Sequence, residues 1–230
     1  MSETNDTHTS STRGRSPIAC VLLPELPIVA HHPDAADGPD ARGVHRGRGT
    51  AARIRWADGV AREHGIREGQ TLAAARARCA SLRSVLCDET LLHEAQRLVT
   101  SALLAWTPRV AAAGVGRFLC EPVGEGWADR ARVGLAAWGR VRIGIGAWAT
   151  VAYAGALRDA GHVEPSILDA APLHVLELDA STIDDLGAIG VRTVAALRSL
   201  DPTDLGVRFG ATVASAWRYA QGDDPRGPTS

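Results

Sequence analysis

The sequence predicts an α/β domain followed by a small all-helical domain, and three observations carry that expectation. Strand-like and helix-like patterns alternate from Ile18 to Ala160. From about His162 the strand signal stops, and short helical stretches follow, separated by Pro165, Pro172, Gly190, Pro202 and Gly210. Charge divides at the same place. Residues 41–83 carry ten arginines against three acids, a net of +7, while residues 161–224 carry ten acids against four arginines, a net of −6.

Taken in order, residues 1–16 are polar and rich in Ser and Thr and read as a disordered tail. Ile18 to Leu23 is a short apolar run closed by Pro24-Glu25-Leu26-Pro27, which predicts a buried strand. His31 to Gly49 reads as a loop and Ala51 to His64 as a helix stopped by Gly65. Thr71 is a candidate N-cap for a helix over Ala73 to Cys79, and Leu82 to Leu86 reads as a strand. Leu91, Leu92, Ala95, Leu98, Val99, Ala102 and Leu103 recur at helical spacing, so Asp88 to Trp106 is a helix ended by Pro108. A strand over Val115 to Pro122, a helix over Trp127 to Trp138, a strand over Val141 to Ile145 and a helix over Thr150 to Ala160 complete the α/β part.

Composition excludes several classes of function. The chain has 230 residues, 45% of them apolar and 22% charged, with net charge −1, which fits a globular protein with a sizeable core. No apolar run approaches the roughly 20 residues a bilayer crossing needs, and the N-terminus lacks the apolar centre of a signal peptide, so a cytoplasmic protein without membrane contact is expected. All 25 basic residues are arginines, so no lysine nucleophile or Schiff base is available. Cys20, Cys79, Cys87 and Cys120 form no CxxC pair and read as small buried hydrophobes; no metal and no cofactor is expected. A Gly-x-Ser-x-Gly nucleophile elbow is absent.

Two constellations remain. Arg142 to Ala149 is a strand entering a helix with a GxGxxA pattern, which in principle cradles a pyrophosphate. The acid that a dinucleotide site wants about 20 residues further on does not end a strand here. Leu186 to Leu197 is a helix, a turn at Gly190 and a second helix opening with Arg192 and Thr193. Such a hairpin aims backbone N–H groups and a guanidinium at one spot, as a DNA phosphate contact requires, and it is equally an ordinary helical hairpin with Gly190 as its cap.

The order of these pieces resembles the palm, fingers and thumb of the Y-family (UmuC/DinB-like) translesion DNA polymerases, and within them the catalytically inactive ImuB-type members. Ile18 to Pro27 looks like the first palm strand, Gly65 to Arg76 the fingers segment, and Thr107-Pro108-Arg109-Val110 the approach to the catalytic strand. Ile143-Gly144-Ile145-Gly146 is similar to the next palm strand, and Leu186 to Leu197 to the thumb hairpin. The resemblance implies an α/β palm over residues 17–40 and 106–160, a fingers insertion over 41–105 that includes the palm helix 88–105, a helical thumb over 161–224 and a tail over 225–230. It also implies a chain that stops after the thumb, without a little finger.

Departures from the family pattern set the functional expectation. Leu22, Gly116 and Arg117 stand where active members carry metal-binding carboxylates, so no catalytic residue is expected and the protein is not expected to be an enzyme. Arg62 looks like a vestige of the triphosphate contacts, with Gly59 at the position of their tyrosine, and Leu178-Asp179-Ala180-Ser181 replaces the usual Gly-x-Gly of the first thumb hairpin. The resemblance implies an accessory role in DNA-damage tolerance, with a RecA-like partner and an error-prone DNA polymerase. Weak, sequence-independent DNA binding is expected through Gly190, Arg192 and Thr193, and a plain DNA-binding module is the alternative. No Gln-x-x-Leu-Phe motif is present, which makes a sliding-clamp contact doubtful.

Overall fold

The computed structural model describes residues 16–33 and 40–228, so the expected N-terminal tail, Ser16 apart, lies outside the described residues, as do residues 34–39 and the last two of the expected tail 225–230. Strand β1 (Ile18–Leu22) is the middle strand of a five-stranded sheet. Its residues alternate between two covered faces. Ala19 and Val21 join one buried cluster while Cys20 and Leu22 join another, which is why the strand reads as an unbroken apolar run. A turn at Leu23 leads into α1 (Leu26–His31), with Pro27 in its first turn, where a missing N–H costs nothing.

The next segment corrects the sequence reading. The expected loop and the expected helix over 51–64 give way to strands β2 (Arg42–Arg46) and β3 (Arg53–Ala57), followed by the short helix α2 (Gly59–Glu63). The Ala-Ala-Arg run suggests a helix, but Arg53-Ile54-Arg55-Trp56-Ala57 also alternates, and pairing with β2 decides in favour of strand. Asp58 then starts α2 by accepting from the Ala61 N–H at 2.7 Å. Helix α3 (Leu72–Arg78), capped by Thr71, and strand β4 (Arg83–Leu86) complete a three-stranded sheet of order β3-β2-β4. Ile54, Ala61, Ile66, Ala75 and Leu82 form its core.

Helix α4 (Glu89–Leu104) forms as its periodicity predicts, with Asp88 accepting from the Thr90 N–H at 2.8 Å. It buries Leu92, Ala95, Val99 and Leu103. The strand expected over Val115 to Pro122 forms as β6 (Arg117–Cys120), but it is the second arm of a hairpin whose first strand, β5 (Val110–Gly114), the sequence reading lacked, with a bulge between Ala112 and Gly114. Helix α5 (Trp127–Leu135) packs beside α4 on the Val21, Phe118 and Ile143 face of the sheet.

Strand β7 (Arg142–Gly146) runs antiparallel to β1, and α6 (Ala149–Arg158) folds back over it. The contact is close. A Cβ on Gly144 would lie 2.2 Å from both the Ala152 carbonyl oxygen and the Ala156 nitrogen, so only glycine allows the helix to lie flush on the strand. Two residues of edge strand, β8 (Gly161–His162), pair parallel to β7, a strand the sequence reading lacked. The large sheet thus has the order β5-β6-β1-β7-β8.

The remaining helices are α7 (Ala180–Ala188), α8 (Val194–Arg198), α9 (Pro202–Phe209) and α10 (Ala211–Gln221). Leu168, Leu173, Leu186, Val194, Leu205 and Val213 make their core. Trp148, Val151 and Ala154 of the α6 segment belong to that core, whereas Ala149, Ala152 and Ala156 face the sheet. One helix therefore carries the interface between the sheet and the helical domain.

Candidate functional site

The register between β1 and β6 sets Leu22 directly opposite Arg117. Gly116, just before, has φ +70°, and a Cβ there would lie 2.4 Å from the Leu23 carbonyl oxygen. The backbone approach is locked by the Leu23 N–H donating to the Gly116 carbonyl at 2.7 Å. Along this strand turn, then, one position is apolar, one excludes any side chain and one is a cation.

Arg117 is nearly buried, with 12% of its side chain exposed. Its Nε donates to the Ala113 carbonyl at 3.0 Å, and its guanidinium stacks over the Tyr153 ring at 4.5 Å. Its Nη2 is paired with one oxygen of Glu177, and the other oxygen of Glu177 is paired with Nη1 of Arg226. Arg226 holds Asp224 from Nε at 2.8 Å and Nη2 at 2.9 Å, and donates from Nη2 to the Thr150 hydroxyl at 2.8 Å. Asp224 in turn accepts from the Thr150 N–H at 3.0 Å and the Thr150 hydroxyl at 2.7 Å, so it caps the first turn of α6. A chain of charges thus joins β6 to the helical domain and to the segment after α10.

Burial works against the Asp224 carboxylate, but hydrogen bonds from Arg226 and Thr150 outweigh it and hold the group below its ordinary range. Beneath Arg117, burial pushes the Cys20 thiol up to about 12, so it stays protonated despite the nearby guanidinium. Burial likewise raises Tyr153. A cavity of about 360 Å³ opens beside this chain, lined by Ala111, Ala113, Ala149, Tyr153 and the three charged side chains of Arg117, Glu177 and Arg226.

The family resemblance implies two divalent metal ions at this face, and the residues present do not fit them. Hard cations want oxygen ligands anchored by at least one or two free carboxylates, whereas this turn offers Leu22, Gly116 and Arg117, and Glu177 has both oxygens engaged by guanidiniums. Among the described residues, no group of three or more His, Cys, Asp or Glu is arranged to hold a metal ion.

The other expected site residues lie apart from this centre. Arg62 is exposed on α2 and donates to the Ala57 carbonyl of its own sheet. Gly190 has φ +85° with open space around it, Arg192 is exposed, and the Thr193 oxygen accepts from the Ala196 N–H at 3.2 Å, capping α8. Gly190, Arg192 and Thr193 do sit together in one turn. Asp179 caps α7, and hydrogen bonds from Ser181 and Thr182 hold its carboxyl down at about 2. The pyrophosphate pattern at Gly144 to Ala149 is accounted for otherwise: Gly144 admits α6, and the first turn of α6 is taken by Asp224.

Sequence reasoning missed Tyr153, Glu177, Asp224 and Arg226 as parts of one site. The Asp224-x-Arg226 spacing after the last helix is the only local signal. Glu177 stands out in the structure alone, as a non-glycine residue at φ 61°.

No family model matches the sequence, and no curated protein sequence matches it. Solved structures do match. The crystal structure of DinB from Sulfolobus solfataricus superposes with a TM-score of 0.69 at 14% identity, covering 90% of this chain and 67% of that one. The insertion ternary complex of Dbh DNA polymerase gives 0.70 at 13% identity over 92% of this chain and 69% of that one. A Y-family polymerase chimera of Dbh and Dpo4 gives 0.68 at 14% identity, covering 93% and 69%. The chain therefore has the fold of a Y-family DNA polymerase. Its five-stranded sheet is the palm, its three-stranded sheet the inserted fingers, and its helical domain the thumb.

Proposed function

We propose that the protein is a Y-family polymerase-like accessory factor in DNA-damage tolerance that does not itself transfer nucleotides. The observation that carries this reading is Arg117, a fixed cation opposite Leu22 and ion-paired with Glu177. Phosphoryl transfer by two metals draws most of its rate from electrostatic stabilisation of developing negative charge by those ions. A guanidinium tied to its own carboxylate neither deprotonates a nucleophile nor bridges it to a leaving group. With the fold kept and that chemistry lost, surfaces are left as the functional parts.

On this reading the protein is an adaptor, with a RecA-like partner and an error-prone polymerase as the partner classes drawn from the family resemblance. DNA contact is weak and independent of sequence, through Arg192, Thr193 and the arginines of the fingers. The +7 charge of residues 41–83 favours a second reading, a plain DNA-binding module. Primer extension with Mg²⁺ or Mn²⁺ tests the first claim, and incorporation above background refutes it. Recovery of partner proteins from damaged cells separates the two readings: nuclease-resistant capture supports the adaptor, nuclease-sensitive capture the module.

A further inference from the structure

We propose that Arg117 and Arg226 form a binding site for a phosphate monoester, which Glu177 closes when no ligand is present. The two guanidiniums converge on the two oxygens of a single carboxylate, the arrangement a planar fork makes with phosphate oxygens. Glu177 is the internal stand-in for that anion. Its main chain fixes where it stands: Glu177 ends the turn Leu173–Leu176 in the left-handed conformation (φ 61°), with its N–H donating to the His174 carbonyl, which places its carboxylate between the two guanidiniums.

The groups facing the site set the ligand. Arg226 already serves Asp224 through Nε and Nη2, leaving Nη1 for the incoming anion, and Arg117 supplies Nη2. A phosphate monoester brings close to two negative charges and three terminal oxygens, against one charge and two oxygens for Glu177, so it competes at the same two donors. The adjoining cavity, about 360 Å³ with walls of Ala111, Ala113, Ala149, Leu119 and Tyr153, takes the organic part of the ester. Displaced Glu177 swings into solvent, since a third of its side chain is exposed already.

Calorimetric titration of the full chain at low salt tests the site, with thymidine monophosphate, thymidine, and an oligothymidylate with and without a 5′-phosphate. Thymidine monophosphate binds where thymidine does not, or the 5′-phosphorylated strand binds at least tenfold more tightly than the unphosphorylated strand, whose own affinity is the backbone contact proposed above; whichever phosphorylated form binds more tightly identifies a free ester or a DNA end as the source. Glu177→Gln removes the competing charge and keeps both arginines, so it tightens binding at least fivefold. Arg117→Gln weakens it tenfold or more, and its thermal melt checks folding. If Glu177→Gln binds no tighter than wild type, or thymidine binds as well as its monophosphate, the proposal fails. The test stands apart from nucleotide transfer, because primer extension reads a different property.

Discussion

Removing Asp224 tests how the helical domain is held on the palm. This carboxylate is 2% exposed and accepts from the Thr150 N–H, the Thr150 hydroxyl and two nitrogens of the Arg226 guanidinium. In Asp224→Ala the first turn of α6 loses its cap, worth about 1 kcal/mol. Arg226 loses a buried partner, a change worth about 3–5 kcal/mol when the remaining charge is fully enclosed. Here Arg226 keeps Glu177 and 28% of its side-chain exposure, so the combined loss falls at about 2–4 kcal/mol. Urea unfolding followed by tryptophan fluorescence reports it, because Trp148 and Trp217 lie in the cluster the segment covers. The pH dependence supplies a second reading. The folded-state pKa of Asp224 is depressed below the unfolded value of about 3.9, so its stabilisation is present above that pH and is lost as pH falls through the folded value. The gap between wild type and variant is therefore constant from about pH 8 to pH 5 and narrows below about pH 4. A loss under about 0.5 kcal/mol at pH 7, or a gap that does not narrow in acid, refutes the reasoning.

Two further perturbations follow from the geometry. Arg192→Glu weakens binding to double-stranded DNA and lowers the salt slope by about one, with no change in sequence preference; wild-type binding is roughly micromolar or weaker at physiological salt, and an unchanged slope in a salt titration makes the Gly190 turn purely structural. Gly144→Ala places a methyl group against the α6 backbone at Ala152 and Ala156, on the face that lies on the strand, so it costs at least the roughly 1–3 kcal/mol of ordinary overpacking, and a melting curve within experimental error of wild type contradicts the packing described.

What the sequence made legible was whatever lies close in the chain. Helix α4 was readable because Leu92, Ala95, Val99 and Leu103 repeat on one face and Asp88 caps them. Strand β1 was readable as a short apolar run. The fingers strands were not: β2 pairs with β4 some 40 residues away and with β3 across a bulge, while the alanines before β3 suggest helix. Strand β5 hid for the same reason, since Val-Ala-Ala-Ala-Gly has neither alternation nor strand propensity, and only its partner β6 makes it a strand. At the site, Leu22, Gly116 and Arg117 were visible as departures from a pattern. Their connection to Glu177 was not, because Arg117 reaches it across 60 residues and Arg226 across 49. The expectations for Arg62 and the thumb hairpin placed those residues on their elements, and binding by either is a matter for titration.

The bulge in β5 bears on how the palm sheet ends. β5 is an outermost strand, uncharged, free of proline and made of small residues, the kind of edge on which a strand from another molecule can add. Its last two carbonyls are already engaged: Arg117 Nε takes that of Ala113 and Gln96 Nε2, at 3.2 Å, that of Gly114. The bulge twists the same stretch out of ladder geometry. The arginine that pairs with Glu177 thereby also blunts an edge, and the sheet resists growth by strand addition on that side.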